Sequence, residues 1–263
     1  MELATTVSGP DDGTPVVLLH GLTATRKYVV MGSSVLERGG YRTIAYDARG
    51  HGSSDPAATY SYSELADDLE RVLDDHGIER AVLAGASMGA HTIIRFALDQ
   101  PDRVAAAAIV TPAHDPAETD RTASLERWDA LARGLRTGGV EGFVTAYGNP
   151  GVPDDYKETV LKVIRQRLAL HEHPDAVADA LEQVPRSAPF ESLDELERID
   201  VPAIVVASRD ELDPGHPFAI GEAYAERLPQ GRLVTEDEGQ SPLAWQGSRL
   251  SKQIAELAKA AGA

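Results

Sequence analysis

The residues best suited to chemistry form the run Gly85-Ala86-Ser87-Met88-Gly89. It directly follows the apolar run 81–84 and directly precedes a helical pattern. A serine that turns the chain from strand to helix holds its hydroxyl clear of the sheet, near the positive end of the helix that follows. Such a turn needs small neighbours, because its backbone is strained and the helix packs close. Glycine on both flanks and alanine before the serine meet that need. The chemistry this suits is nucleophilic attack on an acyl carbon. A motif this short arises easily by chance, so its weight comes from the strand-then-helix context.

A second run, Val16-Val17-Leu18-Leu19-His20-Gly21-Leu22, supplies what acyl transfer also requires. Attack on a carbonyl generates an oxyanion, and two backbone N–H groups aimed at it lower the barrier by several kcal/mol. Gly21 allows a sharp turn after the strand, presenting the Leu22 N–H toward Ser87. The second N–H would come from Met88, the residue after the nucleophile. His20 is expected to tie loops together rather than to act as a base, and His91, one turn into the helix after Ser87, is likewise expected to be structural.

The elements that must position these groups follow from patterning. Short aliphatic runs at 16–19, 42–46, 81–84, 105–110, 203–206 and 232–234 alternate with helical stretches at 63–75, 88–99, 216–227 and 250–260. That alternation predicts an α/β fold, a mostly parallel sheet with helices on both faces. Residues 2–7 could add one abbreviated strand. The segment 115–199 breaks the alternation and reads as helices alone, with Leu125, Trp128, Leu131 and Leu135, then Val160, Leu161, Ile164 and Leu168, at helical spacing. The expected organisation is a core of 1–114 and 200–263 with a helical cap inserted at 115–199 over the strand ends. Trp128, Phe143, Tyr147 and Leu168 are the candidate walls of a pocket, although apolar stripes of this kind also build the interior of a cap.

Composition bounds the partners. The 263 residues contain no cysteine, which excludes disulfides and thiolate metal sites, and the length suits one domain with an insertion. A formal net charge of -17 opposes binding to nucleic acid or an anionic membrane surface and favours a small neutral substrate. No apolar stretch approaches a membrane span and no signal-like start is visible, so a cytoplasmic protein is expected. No phosphate-cradling or dinucleotide motif appears, and His171 and His173, two apart, do not share a helix face. No cofactor and no metal are therefore expected.

Together the strand ending in His20-Gly21, the run Tyr46-Asp47-Ala48-Arg49-Gly50-His51-Gly52-Ser53-Ser54 and the Ser87 turn, in that order and spacing, resemble the α/β-hydrolase superfamily. The likeness is to its small esterase, lactonase and perhydrolase-like members with a helical cap. It implies structural roles for Arg49 and His51. It also implies an acid in the segment after the run 203–206, where Asp210 falls at the expected place and Asp213 is the runner-up. That acid would fix a histidine tautomer and stabilise the imidazolium formed during turnover. The family's histidine belongs after the last strand, where this chain has Gln240. A glutamine amide cannot serve as a general base near neutral pH.

Three explanations for Gln240 stand open. Another histidine does the work, with His216 preferred and His114, beside Asp115, the alternative. Or the triad was lost naturally. Or the histidine was replaced deliberately. The expected function is a serine hydrolase acting on a small carboxylic ester or lactone. The alternatives are a catalytically impaired binding module and, more remotely, peroxide or carbon–carbon bond chemistry at the same turn.

Overall fold

The computed structural model describes residues 1–209 and 212–262. In chain order its main elements are β1 (Thr5–Ser8), β2 (Thr14–Leu19), α1 (Val35–Arg38), β3 (Tyr41–Tyr46), α2 (Tyr62–Asp75), β4 (Ala81–Ala86), α3 (Met88–Asp99) and β5 (Val104–Val110). They continue with α4 (Thr122–Tyr147), α5 (Asp154–Leu168), α6 (Pro174–Gln183), β6 (Ala203–Val206), α7 (Phe218–Arg227), β7 (Gly231–Val234) and α8 (Gly247–Ala260). Among the described residues the seven strands form one sheet in the order β1-β3-β2-β4-β5-β6-β7. Only β1, at the edge, runs antiparallel.

Continuous apolar runs become central strands because both faces of a parallel sheet are covered. Alternation then sorts their side chains. Val17, Leu19 and Leu83 pack toward α2, α3 and α7 through Leu69, Ile93 and Tyr224. Val16, Leu18, Val82 and Ala84 pack on the opposite face toward α1 and α8 through Leu36, Leu250 and Ile254. The first turn of α2 is closed by a reciprocal cap between Ser61 and Glu64, which satisfies two otherwise orphaned N–H groups.

The segment 115–199 contains α4, α5 and α6 and no strand. α4 bends at Gly139, which has φ 59°. Leu131, Leu135, Phe143, Ile164, Leu168, Val177 and Leu181 form a third apolar cluster that also takes in Leu22, Ala48 and Met88. Those last three residues follow β2, β3 and β4. The helical layer therefore rests on the carboxyl ends of the central strands, where an open α/β sheet places its ligand crevice. No helix among the described residues is long and apolar enough to cross a membrane.

Several boundaries depart from expectation: β1 spans Thr5–Ser8 rather than 2–7, and α8 begins at Gly247 rather than 250. α7 begins at Phe218, not at residue 216. Pro217 disfavours helical backbone in the residue before it, so His216 stays on the loop.

A tight steric constraint lies where β2, β4 and α3 meet. A Cβ on Gly89 would stand 2.4 Å from the Leu19 carbonyl oxygen, and one on Gly85 would stand 2.5 Å from the Gly89 carbonyl. By contrast, a Cβ on Gly138 in α4 would meet nothing within 4 Å. Gly89→Ala is therefore expected to destabilise the fold by about 1–3 kcal/mol. Gly138→Ala is expected to stabilise it by about 0.5–1 kcal/mol through helix propensity. Urea midpoints of the two variants check both signs.

Candidate active site

Ser87 joins β4 to α3 with φ 52° and ψ −111°, in a region that costs a non-glycine residue about 1–3 kcal/mol. Its N–H donates to the Val110 carbonyl at the end of β5, 2.9 Å away. That bond ties the turn to the neighbouring strand, and the small Gly85 and Gly89 let α3 pack against β2. The side chain is half-buried rather than sealed. Because Leu19 pairs with Gly85 across the sheet, the Gly21-Leu22 loop lies directly beside Ser87. A Cβ on Gly21 would sit 3.5 Å from the Ser87 Cβ.

Met88 is the first residue of α3, so its N–H has no intrahelical acceptor. The Leu22 N–H donates to no backbone carbonyl among the described residues. Neither of the two N–H groups expected to face an oxyanion donates to a backbone carbonyl among the described residues.

His216 lies across the crevice from them. Its Nε2 is 3.0 Å from Ser87 Oγ, and its Nδ1 is 2.8 Å from Asp213 Oδ1. With Nδ1–H donating to the carboxylate, Nε2 is left to accept the serine hydroxyl. A turn in which the His216 N–H donates to the Asp213 carbonyl, 3.2 Å away, sets both side chains on one side of the loop. Ser87, His216 and Asp213 form a continuous hydrogen-bonded chain. Asp210, the acid implied by the resemblance, lies outside the described residues. The preferred histidine and the runner-up acid are the pair brought together here.

The other imidazoles near the crevice are committed elsewhere. The Ala48 N–H donates to His20 Nε2 at 2.9 Å, and His20 Nδ1–H donates to the Gly21 carbonyl at 2.8 Å. His51 lies between the carbonyls of Arg49 and Leu22, and the Gly52 N–H donates to His171 Nδ1. This cluster of three imidazoles, in tilted and edge-on contact, props the loop that carries Leu22. His91 accepts from the N–H groups of Ala113 and His114 and donates to the Tyr62 hydroxyl. His114 donates to the Phe190 carbonyl, and Asp115 accepts the Ala117 N–H. That pair is not joined to Ser87. Gln240 stands on an exposed turn, its N–H donating to the Asp237 carbonyl.

Of the four candidate pocket residues, Phe143 and Leu168 are buried inside the helical layer. Trp128 and Tyr147 pack at its edge and remain partly exposed. Arg49 is held by Asp68 at 2.6 and 3.0 Å, and buried Asp47 accepts the Arg26 N–H and pairs with its guanidinium. Both therefore hold the loop after β3 in place.

Sequence patterning gave no sign of Glu236. Its buried carboxylate accepts the Ser208 hydroxyl, the Arg209 N–H and the Leu243 N–H, joining the segment after β6 to the one after β7. A single glutamate just past a strand carries no spacing signal that would have exposed this role. Among the described residues no group of three His, Asp or Glu side chains could hold a metal ion.

Comparison with known proteins agrees with this architecture. The family model described as "alpha/beta hydrolase fold" matches residues 14–138, which span the Gly21 loop and the Ser87 turn. An enol-lactonase from Burkholderia xenovorans LB400 superposes with a TM-score of 0.80 at 24% identity, covering 98% of this chain and 96% of that one. A thermophilic esterase from Thermogutta terrifontis does so at 0.78 and 26% identity, covering 99% and 94%. Given this sheet order, the serine turn and these matches, the chain has the α/β-hydrolase fold, and over residues 14–138 it is similar to the family of that name.

In sequence it is similar to a non-heme chloroperoxidase of Streptomyces lividans, 28% identical over 89% of this chain and 91% of the relative. Curated relatives at 35 to 39% identity are matched over only 29 to 45% of their own length.

The buried imidazoles predict an acid limit to stability. Burial above all lowers His20, His91 and His171 from the usual 6.5 to about 3. Between those values the unfolded chain binds more protons than the folded one. Stability present above pH 6.5 is therefore lost as pH falls toward 3, by up to about 1.4 kcal/mol per pH unit for each imidazole. Urea midpoints measured from pH 7.5 down to 4.5 are expected to fall steadily; a flat profile would contradict three neutral buried rings.

Proposed function

We propose that the protein is a serine hydrolase that cleaves a small carboxylic ester or lactone through an acyl-enzyme at Ser87. The observation that carries this reading is the hydrogen bond between Ser87 Oγ and His216 Nε2, backed by Asp213. His216 Nε2 takes the serine proton as Oγ attacks the acyl carbon. The carbonyl oxygen, now negative, receives the Leu22 and Met88 N–H groups. Asp213 stabilises the imidazolium by accepting from Nδ1–H. The imidazolium then protonates the leaving alkoxide, and the acyl–oxygen bond breaks. In the second half, Nε2 takes a proton from water, hydroxide adds to the acyl-enzyme, and the proton returns to Ser87 as the acid departs.

The helical layer serves as the cap in this reading. Phe143 and Leu168 form its core, while Trp128 and Tyr147 offer the exposed edges of a pocket. The binding-module alternative drew its support from Gln240, and a histidine at hydrogen-bond distance from Ser87 favours the enzyme.

Steady-state hydrolysis of short-chain p-nitrophenyl esters and of a simple lactone tests the proposal. Ser87→Ala and His216→Ala are each expected to lower kcat by about 10³-fold or more with little effect on KM. Asp213→Asn is expected to cost about 10²–10⁴-fold, and Asp210→Asn far less. A larger loss in Asp210→Asn would move the acid to that residue. Gln240→His should leave kcat nearly unchanged, because the base is already present. Absence of any turnover in the wild type would favour the binding module.

A further inference from the structure

The loop that carries His216 brings an acid with it. Asp213 and His216 lie between β6 and α7, joined by their side chains at 2.8 Å and by the turn bond from the His216 N–H to the Asp213 carbonyl. The pair can therefore shift as one body without loosening its own contacts. Asp213 orients the imidazole within the loop, but it does not fix the distance from Nε2 to Ser87. That distance is set by whatever holds the ends of the loop.

Those ends meet at a tight neck. The Ala207 N–H donates to the Val234 carbonyl at 3.1 Å. Gly221, near the start of α7, lies so close to Ala207 that a Cβ on it would stand 2.4 Å from the Ala207 Cβ. The Arg209 guanidinium covers the Phe218 ring at 4.7 Å from its centroid, a cation–π contact across the neck.

Glu236 fastens this neck from outside the loop. It stands just beyond β7 and is 4% exposed. Its Oε1 receives the Ser208 hydroxyl at 2.8 Å and the Arg209 N–H at 2.6 Å, and its Oε2 receives the Leu243 N–H at 3.2 Å. Donors from two segments thus converge on one buried carboxylate. An amide in its place would turn an NH2 group toward at least one of them, and a buried N–H left without an acceptor is costly. The same carboxylate closes the turn 236–243, on which Gln240 stays exposed.

We infer that Glu236 is a positioning residue for the His216 loop: by holding Ser208 and Arg209 at the neck, it sets the distance between His216 Nε2 and Ser87 Oγ. The segment after β7, where the family resemblance expects the base, here aligns a base carried on the neighbouring loop. The inference rests on the proposed hydrolysis for its kinetic consequences, while the hold on the loop can be read without turnover.

Glu236→Gln keeps the size of the side chain and removes one acceptor. On p-nitrophenyl acetate it is expected to lower kcat by about 10–100-fold, the scale of a misplacement near 1 Å, with KM nearly unchanged. In a His216→Ala background the same change should cost less than about twofold, because no imidazole is left to align. A variant that merely lost folded protein would lose equally in both backgrounds. Arg209→Met leaves its backbone N–H on Glu236 and removes only the cation–π contact. It is expected to lower kcat by about 2–5-fold, and it carries the test if Glu236→Gln does not fold. Hydrogen exchange of peptides spanning 212–218 should quicken in both variants, with those of β4 and α3 unchanged.

Wild-type kcat in a folded Glu236→Gln, an equal loss in the His216→Ala background, or a loss confined to KM would overturn the inference. With only Arg209→Met folded, wild-type kcat and exchange would overturn it as well. Should the wild type hydrolyse no ester, the hydrolase proposal fails on its own, and exchange decides the rest. Faster exchange at 212–218 supports the hold of Glu236 on the loop, and unchanged exchange overturns it.

Discussion

A backbone that must pass through an unfavourable conformation at Ser87 is the constraint on which the rest of the structure depends. With φ at 52°, the turn persists only because its surroundings over-determine it. α3 can leave the turn at this angle because Gly89 touches the Leu19 carbonyl and Gly85 touches Gly89, at distances no larger residue tolerates. The same contact sets β2 against β4 and so brings the Leu22 N–H beside the serine. Strain, close packing and the two N–H groups beside the serine are therefore one arrangement, with little structural use apart from the chemistry proposed for it.

The three loops around the turn are held by different means, each suited to its burial. Neutral imidazoles support the loop after β2 through backbone hydrogen bonds. These rings can be buried because burial keeps them uncharged. Charged pairs hold the loop after β3, where Arg49, paired with Asp68, also donates to the backbone carbonyls of Thr59 and Glu64. The loop that carries His216 is tied down on its N-terminal side by the Glu236 carboxylate. Among the described residues the His216 side chain is hydrogen-bonded to Ser87 and Asp213.

Much of this was legible in the sequence, for physical reasons that can be named. Buried parallel strands read as unbroken apolar runs, so 203–206 was placed without error and the other parallel strands to within two residues at either end, while the antiparallel β1 starts three residues later than expected. The Ser87 turn was legible because only small residues fit around it. The preference for His216 over His114 followed from its place six residues beyond Asp210 on the same post-strand loop, and the structure sets it at hydrogen-bond distance from Ser87. The contact of Asp213 with His216 was not legible, because it depends on a turn that spacing cannot fix, and Asp210 lies outside the described residues. Trp128 and Phe143 read alike on a helical stripe, yet Phe143 is buried at 2% exposure and Trp128 is not.

The central claim is that one hydroxyl, activated by one imidazole, is the reactive centre. Treating the protein with a fluorophosphonate and mapping the adduct by peptide mass tests it most directly. The account predicts a single modification on Ser87, formed roughly 10³-fold more slowly in His216→Gln. Labelling on another residue, or labelling of Ser87 at an undiminished rate without His216, would contradict it.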